Sequence, residues 1–216
     1  MRTVDRTAEC RRVASGAPLA ARGRSGPAKR RAALAVFGGL VLGAALPAVQ
    51  AQPAAAVSLP LEVRSHLGPQ ARLRGSARLR WLGLSIYDAR LWVGPVFEPQ
   101  RYEAAPLALE LIYARALKGP LIAERSIDEM RRAGPLAEDE ARRWLSFMKE
   151  VFPDVVEGDR ITGAWDPSDA RSAFHVNGGA PRTLRDPAFG PRFFGIWLSP
   201  HSSQPAMRQQ LLGLGA

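Results

Sequence analysis

Arginine occupies four of the five even positions from 72 to 80 in the stretch ARLRGSARLRW (Arg72, Arg74, Arg78 and Arg80), while the odd positions carry Leu73, Leu79 and Trp81. A period of two predicts a strand with one basic and one apolar face. Such a guanidinium row serves one of three ends: phosphate contact, a solvated strand edge, or the wall of a site that grips an anion. Other reactive side chains offer less. His66, His175 and His201 lie apart from one another and from carboxylates at metal-ligand spacing. Neither a metal centre nor a histidine acid–base pair is expected, because both need converging groups. The serines and threonines form no nucleophile elbow, and no glycine loop is built to cradle phosphate. Hydrolase, kinase and dinucleotide chemistry are set aside, and no cofactor is expected.

The overall charge at first favours nucleic acid. The chain of 216 residues has a formal net charge of +10. Residues 1–51, however, hold nine of the basic side chains against only Asp5 and Glu9, which leaves 21 Lys/Arg and 18 Asp/Glu for the remainder. A surplus of three charges over 165 residues does not make a phosphate-binding stripe, so no nucleic-acid partner is expected. The basic segment instead reads as a leader. Lys29-Arg30-Arg31 precedes an uncharged apolar run from Ala32 to Ala48, and Val49-Gln50-Ala51 supplies the small residues of a cleavage site. A signal peptide over 1–51, cut before Gln52, is expected. A retained anchor is the alternative, although the run falls short of the roughly 20 residues that span a bilayer. The only cysteine, Cys10, lies in this leader. The mature chain, periplasmic or secreted, would have neither disulfide nor thiol chemistry.

After an Ala/Pro linker (52–58), one domain is expected over 59–216. Residues 58–69 read as a short strand or extended arm. Strands follow at 71–81, 84–93 and 106–117. Apolar spacing then changes to a helical period over 121–134, which ends at Gly134-Pro135. A second helix follows, with Glu138, Asp139 and Glu140 in its first turn and an apolar stripe of Trp144, Leu145, Met148 and Phe152. Pairs such as Glu138–Arg142 or Asp139–Arg143 would brace its solvated face. Strands return at 159–166 and 171–178, joined through the turn Asn177-Gly178-Gly179 to a short one at 180–185. Asp186-Pro187 is suited to cap and open a helix, and Pro205 to open a last one. The order predicts an α+β domain, an antiparallel sheet with helices on one face.

Three stretches carry a resemblance: GSARLRWLGLSIYDARLW (75–92), LELIYARALKGPLIAERSIDEM (109–130) and FFGIWLSP (193–200). Together they resemble the exported bacterial branch of the chalcone isomerase-like family, over about Leu59 to Leu212. The resemblance implies an open-faced sandwich with a ligand cleft between sheet and helices. The plant enzymes of the family close a chalcone into a flavanone, using an arginine, a threonine on the next strand, and a tyrosine and an asparagine on the first long helix. Laid on without gaps, the threonine, tyrosine and asparagine sites fall on Leu82, Ile122 and Glu129. Leucine and isoleucine donate no hydrogen bond to polarise a carbonyl, so the plant reaction is not expected. Related members grip a fatty-acid carboxylate with an arginine and a tyrosine, and here the ungapped arginine site falls on Leu79, between Arg78 and Arg80.

The implied ligand-binding candidates are Arg80, Arg78, Tyr87, Tyr113, Arg115, Arg125 and Glu129, with no catalytic residue assigned. The leading expectation is an exported, non-catalytic protein that binds a small apolar or amphipathic ligand, such as a fatty acid. The alternatives are an isomerase of the intramolecular lyase type with a rearranged site, and a structural or partner-binding module whose cleft its own side chains fill. Strict alternation would give Arg72 to Arg80 one common face, with the end beside Trp81 nearest the cleft.

Overall fold

Strands β1 (Arg72–Trp81) and β2 (Leu84–Val93) run antiparallel and turn through Leu82 and Gly83, both at positive φ (48° and 79°). That geometry matches the twist of the flanking strands. Onto β2 are added β3 (Leu107–Tyr113), β4 (Arg160–Asp166), β5 (Arg171–Val176) and β6 (Arg182–Arg185), each antiparallel to the last. The result is a six-stranded sheet in chain order. The computed structural model describes residues 57–214, so the expected leader and most of the 52–58 linker lie outside the described residues. Every strand finds its neighbours within those residues, and Pro53–Ala216 clusters as one unit. That segment therefore carries what it needs to fold alone.

Alternation along the strands sends two sets of side chains to opposite faces. Leu91, Leu109, Ile161 and Phe174 point into the main core, while Trp92, Ala108, Ala164 and Ala173 point the other way. The main core is completed by α2 (Gly119–Arg131), α3 (Glu138–Val151), α4 (Phe189–Leu198) and α5 (Pro205–Leu212). On α3 the buried stripe is Ala141, Trp144, Met148 and Val151, continued by Phe152, with Leu145 half-buried. Asp139 pairs with Arg143 as expected (2.9 Å), but Glu138 reaches Arg131 on α2 (3.0 Å) instead of Arg142. Pairing between helices closes the α2–α3 corner.

Three expectations need correction. Residues 61–67 form a helix, α1 (Leu61–Leu67), in place of a strand or extended arm. It packs on the second face of the sheet, so the helices do not all share one face. Its partners lie far along the chain. Glu62 accepts from Thr162 (3.2 Å) and pairs with Arg160 (2.8 Å), while the His66 ring bonds the Trp165 carbonyl (2.9 Å). Seven residues carry too weak a period to reveal a helix fixed by contacts about 100 residues away. The third strand ends at Tyr113, short of 117, because the Tyr113 amide and carbonyl turn to Asp159 and Gly158.

The arginine alternation also breaks. Leu73 pairs with Trp92 but Gly75 with Leu91, so Arg74 is the extra residue of a bulge. A bulge swaps the faces beyond it. Leu73 therefore lies with α1, whereas Ala77 and Leu79 turn toward the helix layer. Arg74 reaches round to donate to the Leu212 carbonyl at the end of α5 (2.8 Å), and Arg72 to Arg80 share no common face.

Asp186 caps the α4 entry, although the regular helix starts only at Phe189. One carboxylate oxygen accepts from the Ala188 and Phe189 amides (2.9 and 3.2 Å), and the other from the buried Trp144 indole (2.9 Å). Asp186→Ala removes the cap and orphans a buried donor, so a loss of about 2–3 kcal/mol in urea denaturation is expected. Asp186→Asn, which can still accept one bond, should recover at least half.

Candidate functional site

Between sheet and helix layer lies a cavity of about 500 Å³. Leu109 and Leu111 of β3, Ile161 of β4 and Phe174 of β5 line its floor, with Phe152 and Phe193 behind. Gly163 keeps that floor open, since a methyl group there would stand 3.1 Å from the Phe174 ring and 3.3 Å from Phe194. Ile122 and Ser126 of α2 and Ile196 and Trp197 of α4 form the roof. The hydroxyl of Ser126 is satisfied by the Ile122 carbonyl (2.9 Å) and adds little polarity.

Four polar groups of the lining gather together, while Lys118, Ser203 and Gln204 line the cavity as well. A second bulge, with Leu79 opposite Tyr87 and Arg80 opposite Ser85, turns both Ile86 and Tyr87 toward the cavity. Tyr87 pairs across the sheet with Tyr113, ring centroids 6.0 Å apart and edge to face. The Trp197 indole N–H donates to the Tyr87 hydroxyl (2.9 Å), which leaves the phenol proton free for a ligand acceptor. No described residue accepts from or donates to the Tyr113 hydroxyl among the side-chain hydrogen bonds. One turn apart on α2, Arg125 and Glu129 form an ion pair, and Arg132 stands 3.6 Å from the second Glu129 oxygen. Glu129 is buried, and that second oxygen has no hydrogen-bond partner.

Burial pushes the Tyr87 phenol up to about 12 and the Tyr113 phenol further in the same direction. Both are donors at neutral pH, not bases. Because the folded state holds these protons more tightly than an unfolded tyrosine titrating near 10, their contribution to stability is whole below about pH 10. It is lost as pH rises through about 12. Denaturation midpoints that fall across this window, with a shallower fall in Tyr87→Phe, are the expected result.

Of the seven candidates, the structure brings Tyr87, Tyr113, Arg125 and Glu129 together at the cavity. Arg78, Arg80 and Arg115 are not part of its lining. Arg78 lies on the other face of the sheet in a two-pronged pair with Asp88 (2.6 and 2.8 Å). Arg80 is exposed on that same side, since Leu79 and Trp81 take the cavity-facing positions. Arg115 is exposed beyond the end of β3. The ungapped placement of the arginine position on Leu79 is thus the geometrically apt one. Trp197, the partner of Tyr87, was not singled out from the sequence. The spacing Phe193, Ile196, Trp197 marks one helix face and was the signal available.

The opposite face carries a second charged cluster. Glu110, 1% exposed, accepts from the Trp92 indole (3.2 Å) and sits between Arg90 (3.4 Å) and Arg160 (3.5 Å). With Glu62 on Arg160, two carboxylates balance two guanidiniums, and the cluster fastens α1 to the sheet. Among the described residues no group of three or more His, Cys, Asp or Glu side chains could hold a metal ion.

An open antiparallel sheet, a helix layer and a largely apolar cavity between them define the open-faced sandwich of the chalcone isomerase type. Residues 102–213 match the family described as chalcone isomerase-like, and the chain belongs to that family. An uncharacterised Haemophilus influenzae protein is 29% identical over 141 residues, which cover 64% of this chain and 66% of that protein. The chain thus spans just under two thirds of its relative. Among solved structures, the crystal structure of an Arabidopsis thaliana fatty-acid binding protein superposes with a TM-score of 0.52. The match covers 68% of this chain and 89% of the plant protein at 11% identity, a likeness of fold.

Proposed function

We propose that the protein is exported and, outside the cytoplasm, binds a small amphipathic molecule, with a fatty acid the leading candidate, without transforming it. The observation that carries this reading is the cavity itself: about 500 Å³, apolar along its floor, with Tyr87, Tyr113, Arg125 and Glu129 gathered among its few polar groups. That volume lies within the usual range for small-molecule sites, and an apolar wall with a few convergent polar groups is their common form. An acyl chain would lie over Leu109, Leu111 and Phe174, and its head group would meet the two phenols and Arg125. The fatty-acid binding function of the Arabidopsis fold relative supports the same choice.

Non-catalytic binding is favoured over isomerase chemistry by these gathered polar groups. Both phenols hold their protons, and the one carboxylate in the lining is engaged by Arg125. The position laid on the plant tyrosine is Ile122, an apolar roof residue. An open cavity speaks against a cleft filled by its own side chains.

Native mass spectrometry of residues 53–216 tests the reading. A co-purifying adduct of lipid mass is expected, together with a raised melting temperature on adding palmitic or myristic acid. A clean apo mass with no thermal shift from any fatty acid would sink it. Export is checked separately: the protein recovered from the periplasm should begin at Gln52.

A further inference from the structure

At the mouth of the cavity the chain departs from two local rules. The first central position of a two-residue turn with positive φ suits Asn, Asp or Gly. Here it is Leu82, at φ 48° and 87% exposed. Trp81 and Leu84 flank it, 60% and 54% exposed, and Leu121 at the start of α2 is 60% exposed. Trp81 and Leu121 also line the cavity, so the apolar tip and the cavity form one surface. Nothing in the packing of the fold requires this tip. An Asn-Gly turn would carry less strain and would be better solvated, and an exposed apolar patch that breaks local preference belongs to binding.

Two unpaired basic side chains border the tip. Arg80 precedes Trp81, and Arg115 follows Ala114, whose amide donates to Ile86 beside the hairpin (2.9 Å). Neither arginine makes an ion pair with a described residue. Lys118 and Arg125 line the cavity and are paired with Asp154 and Glu129. Of the acids on neighbouring segments Glu157 and Asp159 have no such pair, but Asp159 is held within its own loop by the Val156 and Asn177 amides (2.8 and 3.0 Å), and the unpaired charges beside the hairpin are Arg80 and Arg115.

We propose that the β1–β2 tip docks on an anionic phospholipid bilayer. Trp81, Leu82, Leu84 and Leu121 enter the interface, while Arg80 and Arg115 meet lipid phosphates. The cavity then opens onto the phase in which an amphipathic ligand resides, so the proposal rests on the reading of the cavity given above. A second copy of the chain is a poorer occupant of the tip, because tip-to-tip contact would bring the unpaired arginines of both copies together.

The test uses residues 53–216 and vesicles of phosphatidylcholine with or without phosphatidylglycerol. The wild-type domain is expected to co-sediment with the anionic vesicles and weakly with the neutral ones. Leu82→Asn should weaken that partition roughly tenfold, the scale of burying part of one leucine. Asparagine accepts positive φ, so the variant should melt no lower than the parent and the loss cannot be ascribed to unfolding. Arg80→Ala with Arg115→Ala should narrow the difference between the two vesicle types. Equal binding to both, no binding, or binding unchanged in Leu82→Asn would overturn the proposal. So would a dimer in light scattering that Leu82→Asn dissolves. Lipid retained in the cavity without vesicle binding would sink the docking alone. Vesicle binding by a domain with an empty cavity would sink only the ligand reading.

Discussion

Gly75→Ala is expected to destabilise the domain by about 3 kcal/mol, an effect unusual for the addition of one methyl group. A Cβ at Gly75 would stand 2.1 Å from the Gln210 carbonyl oxygen and 2.5 Å from that of Leu211. Both obstacles are backbone, at the end of α5, and cannot swing aside as a side chain would. Helix and strand approach this closely because the Arg74 bulge brings Gly75 to the helix-facing side, while Arg74 holds the Leu212 carbonyl (2.8 Å). An added methyl would force α5 off β1 and break that bond. Urea denaturation should show the loss, and the melting temperature should fall by roughly 6–12 °C for a domain of this size. Gly94→Ala is the control. Nothing lies within 4 Å of the position its Cβ would take, so its midpoint should stay within about 0.5 kcal/mol of the parent.

Gly75 also marks the limit of what a strand pattern discloses. The sheet was legible because strands with one face on a core alternate by residue type: β2 falls on 84–93 as expected, and the Asn177-Gly178 turn takes the positive φ that its residues predict (50° and 74°). The bulges at Arg74 and Ile86 were not legible. Each is a single residue whose identity says nothing of it: both are set by the pairing of β1 with β2, and the first also by the close approach of α5. One such residue moved Arg78 and Arg80 off the cavity. Helix α1 was hidden for a related reason, since Glu62 reads as a solvent residue until Arg160 and Thr162 come to meet it.

The candidate site divides along the same line. Tyr87, Tyr113, Arg125 and Glu129 were nameable because they sit on regular elements near the cleft, with Tyr87 in unbroken register against Tyr113 although a bulge adjoins it on the β1 side. That Arg125 and Glu129 neutralise each other could be guessed from their i,i+4 spacing. That Glu129 is buried at a cavity wall with one oxygen unpaired could not, because burial on α2 depends on how α4 and the sheet close over it.

Glu129→Gln is expected to tighten fatty-acid binding, and Arg125→Ala to weaken it, each by roughly tenfold, the scale of one charge-assisted hydrogen bond. In the resting site the Arg125 guanidinium is committed to Glu129, so a bound carboxylate must share it with a buried anion. Glutamine keeps the shape and can still accept from Arg125, but it removes the negative charge that would repel the head group at short range in an apolar cavity. Removing Arg125 does the reverse, leaving Glu129 facing the carboxylate with only Arg132, 3.6 Å from one oxygen, as counter-charge. The double variant should lie between the two, because the loss of the attracting and the repelling group partly offset each other. Titrating each variant with a fluorescent fatty acid gives the affinities, and the matching fatty alcohol separates charge from packing. If the head group lies beside this pair, the alcohol should bind all three variants within about twofold of the parent, since no net charge is at stake. Equal responses of acid and alcohol would place the head group elsewhere in the cavity.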